Sequence, residues 1–215
     1  MVSSKPKIAC ASNGPYYLIY GEAPHAVPFL RTADGGECTT VDKVALCRCG
    51  GSKSKPFCDG THSRTGFSDK RLTDGSSDKR RSYAGKSITI HDNRGICAHN
   101  GYCTDHLAAV FREEGTPWID PDAVDAAQIV AAIGHCPSGA LSYSIDGVEH
   151  RDRDAPPSVT ATRNGPYEVT GGIELVGAAF GDGASKEHYT LCRCGASKNK
   201  PFCDGSHWAV DFTDG

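Results

Sequence analysis

The sequence predicts an α+β chain of three small modules, and three observations carry that prediction. A block of motifs occurs twice, once towards each end of the chain. The stretch between the copies has a different pattern, with helical signals, and polar runs separate the three parts. Asn13-Gly14-Pro15-Tyr16 recurs as Asn164-Gly165-Pro166-Tyr167, and Leu46-Cys47-Arg48-Cys49-Gly50 as Leu191-Cys192-Arg193-Cys194-Gly195. Lys55-Pro56-Phe57-Cys58-Asp59-Gly60 returns as Lys200-Pro201-Phe202-Cys203-Asp204-Gly205, followed by Thr61-His62 in one copy and Ser206-His207 in the other. The separating runs, SDKRLTDGSSDKRRS from Ser68 to Ser82 and RDRDAPPS from Arg151 to Ser158, have linker composition. The boundaries that follow are a first module at 1–70, a linker at 71–84, a central module at 85–150, a linker at 151–158 and the second copy at 159–215.

Within each copy, short apolar runs broken by Gly and Pro read as strands, at 16–20, 168–170 and 173–176. Asp59 and Asp204 stand where an N-cap would, which places His62 and His207 in the first turn of a short helix. In the central module, Leu107, Val110 and Phe111 share one side of a predicted helix, and Asp120 with Pro121 opens a second. A hydrophobic fraction of 38% with 25 Gly and 12 Pro is lean for one large core. Small modules of this kind need something besides burial, and bound metal would serve.

The net charge of -3 offers no basic excess, so nucleic acid and anionic membrane surfaces are not expected partners. The amino terminus lacks the apolar core of a signal peptide, and no stretch approaches the roughly 18 apolar residues of a membrane span. The chain therefore reads as cytoplasmic, where closely spaced Cys and His are metal ligands more often than disulfide partners. Nine of the eleven cysteines fall into three groups of three, each near a His, while Cys10 and Cys38 stand apart as unligated thiols. His25, His91, His106, His135, His150 and His188 lack a repeated Cys spacing and read mostly as surface residues, although His135 adjoins Cys136 and is placed to tune it. No nucleophile–base pair, phosphate-cradling loop or paired-carboxylate motif stands out, so the chain reads as a carrier rather than an enzyme.

Cys47, Cys49, Cys58 and His62 are separated by two, nine and four positions, and Cys192, Cys194, Cys203 and His207 repeat those separations. A C-x-C pair followed by Gly and Ser makes a tight loop whose backbone N–H groups can face bridging sulfides. The same Cys₃His set is also a valid tetrahedral zinc site, so chemistry alone leaves both metals open. The motif, with Ser52 and Pro56 or Ser197 and Pro201 inside it, resembles the CDGSH iron–sulfur (NEET) family over about half of the chain. The first copy departs only in having Thr61 for Ser, which keeps the hydroxyl. The resemblance implies a [2Fe-2S] cluster in each copy, with Cys47 and Cys49 on one iron and Cys58 and His62 on the other. By the same implication Cys192 and Cys194 share an iron, and Cys203 and His207 hold its neighbour. It also implies that the two copies pair about a two-fold axis, here as a pseudo-dimer within one monomeric chain.

The central Cys97-Ala98-His99-Asn100-Gly101-Tyr102-Cys103 and the later Cys136-Pro137 resemble the divergent single-cluster ferredoxins. An ordinary [4Fe-4S] ferredoxin has a third cysteine where this chain has Asn100. A [3Fe-4S] cluster on Cys97, Cys103 and Cys136 is the simplest expectation, and a [4Fe-4S] cluster completed by His99 is the alternative. His99 could equally be a hydrogen-bond donor beside the cluster. Three clusters in one chain point to electron transfer with a redox partner protein. A protonatable His ligand raises the alternative of cluster donation to an apo-acceptor, or redox and pH sensing, and a structural zinc protein is the third reading.

Overall fold

The computed structural model describes residues 5–20, 30–38, 43–75 and 78–214. The first copy supplies strands β1 (Lys7–Cys10), β2 (Tyr16–Ile19), β3 (Leu30–Thr32) and β4 (Lys43–Leu46), then helix α1 (Thr61–Arg64). The central segment adds β5 (Arg81–Ala84), β6 (Thr89–Asp92), α2 (Tyr102–His106), α3 (Ala126–Ile133), β7 (Leu141–Ile145) and β8 (Val148–His150). The second copy contributes β9 (Ser158–Ala161), β10 (Tyr167–Thr170), β11 (Glu174–Val176), β12 (Tyr189–Leu191) and α4 (Ser206–Ala209). Burial alternates along β2 and β10, with Tyr16, Leu18, Tyr167 and Val169 inward, as the two-residue period of a one-sided sheet requires.

The described strands form three four-stranded sheets, ordered β11-β1-β2-β4, β12-β10-β9-β3 and β5-β6-β7-β8. The first two mix the copies. β11 of the second copy lies parallel to β1 with Ile8 opposite Leu175, and β3 of the first lies parallel to β9 with Leu30 opposite Val159. Each copy thus completes the other's sheet, and one apolar core gathers Ile8, Leu18 and Leu46 with Val159, Val169 and Leu191. A separate core under the third sheet contains Ile90, Phe111, Ile119, Ile129 and Leu141. Cys10 and Cys38 pack half-buried against the shared core. Among the described residues no helix is long and apolar enough to cross a membrane.

Several local expectations are corrected. The helix expected to carry Leu107, Val110 and Phe111 ends at His106, and Phe111 instead bridges to Ile119. That bridge, with the Asp120 N–H bonded to Val110 O at 2.9 Å, holds Asp120 outside any helix. Asp125 therefore caps α3, accepting from the Gln128 N–H. At α1 and α4 the cap positions are Gly60 and Gly205, both at φ 82, while Asp59 and Asp204 sit one residue earlier. The end of the expected linker, Arg81–Ala84, is a strand paired with β6. His91 and His188 are buried, the first between the Ser82 and Ser144 hydroxyls and the second against Glu187. His106, His135 and His150 are exposed, and His25 lies outside the described residues.

Candidate metal centres

Each copy builds its donor set by folding a short segment back on the end of a strand. β4 ends at Leu46 and β12 at Leu191, so Cys47 and Cys192 are the first residues beyond the sheet. Leu46 bridges to Phe57 and Leu191 to Phe202, and the Cys58 N–H bonds Ala45 O at 2.9 Å as the Cys203 N–H bonds Thr190 O at 3.1 Å. The third cysteine is thereby returned beside the first. Ser52 and Ser197 brace the intervening turn by donating to the Phe57 and Phe202 carbonyls at 2.6 and 2.7 Å. Asp59 then ties the turn to α1, accepting from the Lys53 and Thr61 N–H groups, and Asp204 does the same with Lys198 and Ser206. Those hydrogen bonds hold the Asp59 carboxyl well below its usual range.

The donors come in pairs. Cys47 and Cys49 place their sulfurs 3.9 Å apart, and Cys192 and Cys194 3.8 Å apart. Cys58 Sγ lies 3.3 Å from His62 Nδ1, and Cys203 Sγ 3.5 Å from His207 Nδ1. Two ligands at about 2.0 to 2.3 Å from one tetrahedral metal stand roughly 3.3 to 3.8 Å apart, so each pair is set as one edge of a metal's tetrahedron. Among the described residues no three His, Cys, Asp or Glu converge as they would around a single ion. Each copy thus presents two such donor pairs. Backbone donors also reach sulfur, from Gly60 N–H to Cys58 and from Ala196 N–H to Cys194, each at 3.4 Å.

The copies differ in exposure. Cys203 and His207 are 2% and 5% exposed, whereas Cys58 and His62 are half-buried, and Phe57 is 37% exposed against 4% for Phe202. Burial pushes the Cys203 thiol up to about 12. Cys194 is pulled down to about 6, first by the bond from Cys192 and then by the Ala196 and Ser197 N–H groups, while Cys192 is pushed well up.

Residues outside the predicted ligand set join the two sites. The buried Tyr16 hydroxyl lies 3.0 Å from both the Cys192 and Pro201 carbonyls, and the Tyr167 hydroxyl 2.9 Å from those of Cys47 and Pro56. Each copy therefore holds the other's ligand turn. Arg48 and Arg193, buried between the paired cysteines, lie over the Tyr16 and Tyr167 rings and pair with Asp69 and Asp214. Their guanidinium groups also tie in the repeated Asn-Gly-Pro-Tyr turn of their own copy, Arg48 through Ala11 O and Arg193 through the Thr162 and Gly165 carbonyls. The recurrence of Asn-Gly-Pro-Tyr and Cys-Arg-Cys signalled these residues, but their reach across the molecule had no local sign.

The central group surrounds a cavity of ≈ 260 Å³ lined by Cys97, Cys103, Cys136, His99, Asn100 and Asp92. A 3-10 turn at Arg94–Ile96, capped by the Asn93 side chain, leads to Cys97; α2 carries Cys103; Cys136 follows α3. The His99 N–H points at Cys97 Sγ from 3.4 Å. Burial lifts the Cys97 thiol to about 11 and also raises Cys103, and the Cys136 thiol adds to both. Asp92 is 1% exposed with no close hydrogen bond to either carboxylate oxygen, and burial raises it to about 6, against the pull of Arg94 and of the Trp118 side chain nearby. Three thiols and an unpartnered carboxyl around a cavity fit a multi-iron group, since the carboxyl can ligate iron or, protonated, donate to a sulfide. Sequence spacing gave no sign of Asp92. His99 has a left-handed backbone at φ 53 and borders both this cavity and Gly205 of the second copy.

Comparison with known proteins agrees with this division. A family described as "Iron-binding zinc finger CDGSH type" matches residues 13–63 and 164–208, and one described as "Divergent 4Fe-4S mono-cluster" matches residues 83–146. Over 75 residues, 35% of the chain, it is 43% identical to 95% of the Uncharacterized protein YjdI of Escherichia coli (strain K12). The protein of that name in Escherichia coli O157:H7 matches to the same extent. No solved structure matches.

Proposed function

The chain belongs to the CDGSH-type iron-binding family, with a divergent 4Fe-4S mono-cluster domain between its two CDGSH regions, and on that premise we propose that it is a three-cluster electron carrier. Each CDGSH copy would hold a [2Fe-2S] cluster, through Cys47, Cys49, Cys58 and His62 in the first and Cys192, Cys194, Cys203 and His207 in the second. The observation that carries this reading is the pairing of donors at single-metal edge distances, two pairs per copy. Cys97, Cys103 and Cys136 would hold the third cluster, of [3Fe-4S] type, or of [4Fe-4S] type if His99 or the orphaned Asp92 supplies a fourth ligand. When bound, such clusters take up and release single electrons. The protein's part is to fix the donors and point N–H groups at sulfur.

The exchange of β3 and β11 between the copies supports an intrachain pseudo-dimer with the ferredoxin-like domain inserted. A cytoplasmic location suits the reduced thiols. In this reading the protein is a carrier rather than a catalyst, and its partner is another redox protein. Cluster donation to an apo-acceptor is the second reading, favoured by the half-buried Cys58 and His62.

Anaerobic purification should give a coloured protein with equal iron and sulfide from the CDGSH copies. Replacing Cys58 and Cys203 together by Ser should remove the [2Fe-2S] signals and leave the central one. The reduced protein should pass electrons to oxidised cytochrome c without losing iron. Iron and sulfide departing together to an apo-ferredoxin would favour donation instead, and a colourless protein with stoichiometric zinc would overturn both.

A further inference from the structure

The three sites are not equally placed with respect to one another. The C-x-C turns of the two copies touch: a Cβ built on Gly50 would lie 2.3 Å from the Cys194 carbonyl oxygen, and one on Gly195 2.5 Å from that of Cys49. Both glycines have φ near +80, so no other residue fits either the conformation or the space. Cys49 and Cys194 consequently line the same open groove.

Among the described residues, the central site adjoins the second copy. The His99 ring and Cβ pack 3.0 to 3.1 Å from where a Gly205 Cβ would lie, inside the Cys203–His207 segment. Trp208 Nε1 donates to His99 O at 3.0 Å, and Asn199 Nδ2 to Gly95 O at 2.6 Å. In the first copy Ser63 occupies the place of Trp208 and Ser54 that of Asn199, and neither offers an indole or amide donor. Among the described residues no hydrogen bond or ion pair joins 83–146 to 47–62. This docking accounts for the burial of Cys203 and His207 and for the greater exposure of Cys58 and His62.

We infer that the three sites form a linear array in the order central, second copy, first copy, with the second copy as the interior relay and the Cys58–His62 edge as the terminus that meets the protein partner. One electron moves at each step, lost by one site and gained by its neighbour, and no bond is made or broken. A reduced partner protein supplies it at one end, and an oxidised partner accepts it at the other. Because transfer slows steeply with distance, contact between neighbouring ligand segments makes each short step faster than a direct one between the ends. His99 is the positioning residue of the first junction, and the Gly50–Gly195 contact is that of the second.

The array rests on the three-cluster reading, and iron and sulfide counts on the same sample keep the two apart. A sample short of clusters counts against that reading, whereas a fully loaded sample with the wrong coupling counts only against the array. In fully loaded wild-type protein, reduced with limiting dithionite so that the CDGSH copies are reduced while a [3Fe-4S] central group stays oxidised, or with excess dithionite if the central group is [4Fe-4S], dipolar EPR should give two short intercluster distances and one long one, the long one between the central and first-copy signals. In Cys203→Ser, the central and first-copy signals should both lose their splitting, while Cys58→Ser keeps the coupling of central to second. An iron chelator added to the wild type should bleach the first-copy signal before the second. The wild-type distances test the order even if a variant fails to fold. Equal spacing of all three, coupling of the central signal to the first copy without the second, or earlier loss of the second-copy signal would overturn the proposal.

Discussion

Asp92 is the residue whose environment departs most from its chemistry. It ends β6 on the inward side, beside Ile90, so the strand's period turns a buried carboxyl towards the cysteine-lined cavity, where neither oxygen has a close hydrogen bond. Its carboxyl rises to about 6 because burial disfavours the charge. Raised above the unfolded value, it makes the folded state bind a proton more tightly than the unfolded chain does. Stability is therefore greatest below pH 4 as far as this group is concerned, and falls as pH climbs from about 4 to about 6. Asp92→Asn should abolish that slope in the metal-free protein and raise stability at pH 7.5 by on the order of 2 kcal/mol. Urea midpoints at pH 4 and 7.5 measure it; an unchanged pH slope would mean that Asp92 is solvated. No spacing rule marks such a residue. His62 and Cys58 are legible because four positions bring them to one turn, whereas Asp92 acquires its role only when a cavity forms around cysteines distant in the chain.

Among the elements, β2 and β10 do the most, because each buries one face in the shared core and sends a tyrosine across to the other copy's ligand turn. The repeated apolar runs predicted these strands nearly to the residue, since two-residue alternation is a local signal. The central helices were read less well. Asp120-Pro121 has the composition of a helix start, but the bridge between Phe111 and Ile119 takes that segment, and the start moves to Asp125. Tertiary pairing overrode a local cap. The partner of Tyr16 was beyond sequence reasoning, for it lies 176 residues away. Burial raises both tyrosines well above their usual range, so the hydroxyls stay protonated donors. Tyr167→Phe should strand the Cys47 carbonyl at a cost of about 1 to 3 kcal/mol, while Pro56 O keeps the Cys47 N–H, and Tyr16→Phe should do the same at Cys192, where Pro201 O keeps the Cys192 N–H. Denaturant unfolding of each variant is the check, and a cost within error of zero would show that water replaces the hydroxyl.

At the scale of the whole molecule, the exchange of third strands decides what can fold alone. β9 pairs with β10 on one side and β3 of the first copy on the other, while β11 has β1 as its partner. Removing the first copy would bare one edge of β9, the whole of β11 and the apolar faces of Val159, Ala161, Ile173 and Leu175, all of them buried in the intact chain. A module of this size has too little core of its own to absorb that loss. It does carry the means of repair. β9 is the counterpart of β1, so β11 from a second identical fragment can lie parallel to it, Leu175 opposite Val159, reproducing the registers of both exchanged pairs. Tyr167 would then find the Cys192 carbonyl of the other fragment in the place of Cys47. Residues 151–214 produced alone and supplied with iron and sulfide should therefore have twice the fragment mass by light scattering, and should unfold at lower concentration as the pair separates. A fragment that stays folded and monomeric at low micromolar concentration would show that each copy holds its own core, and the exchanged strands would then be an ornament of the fold rather than its condition.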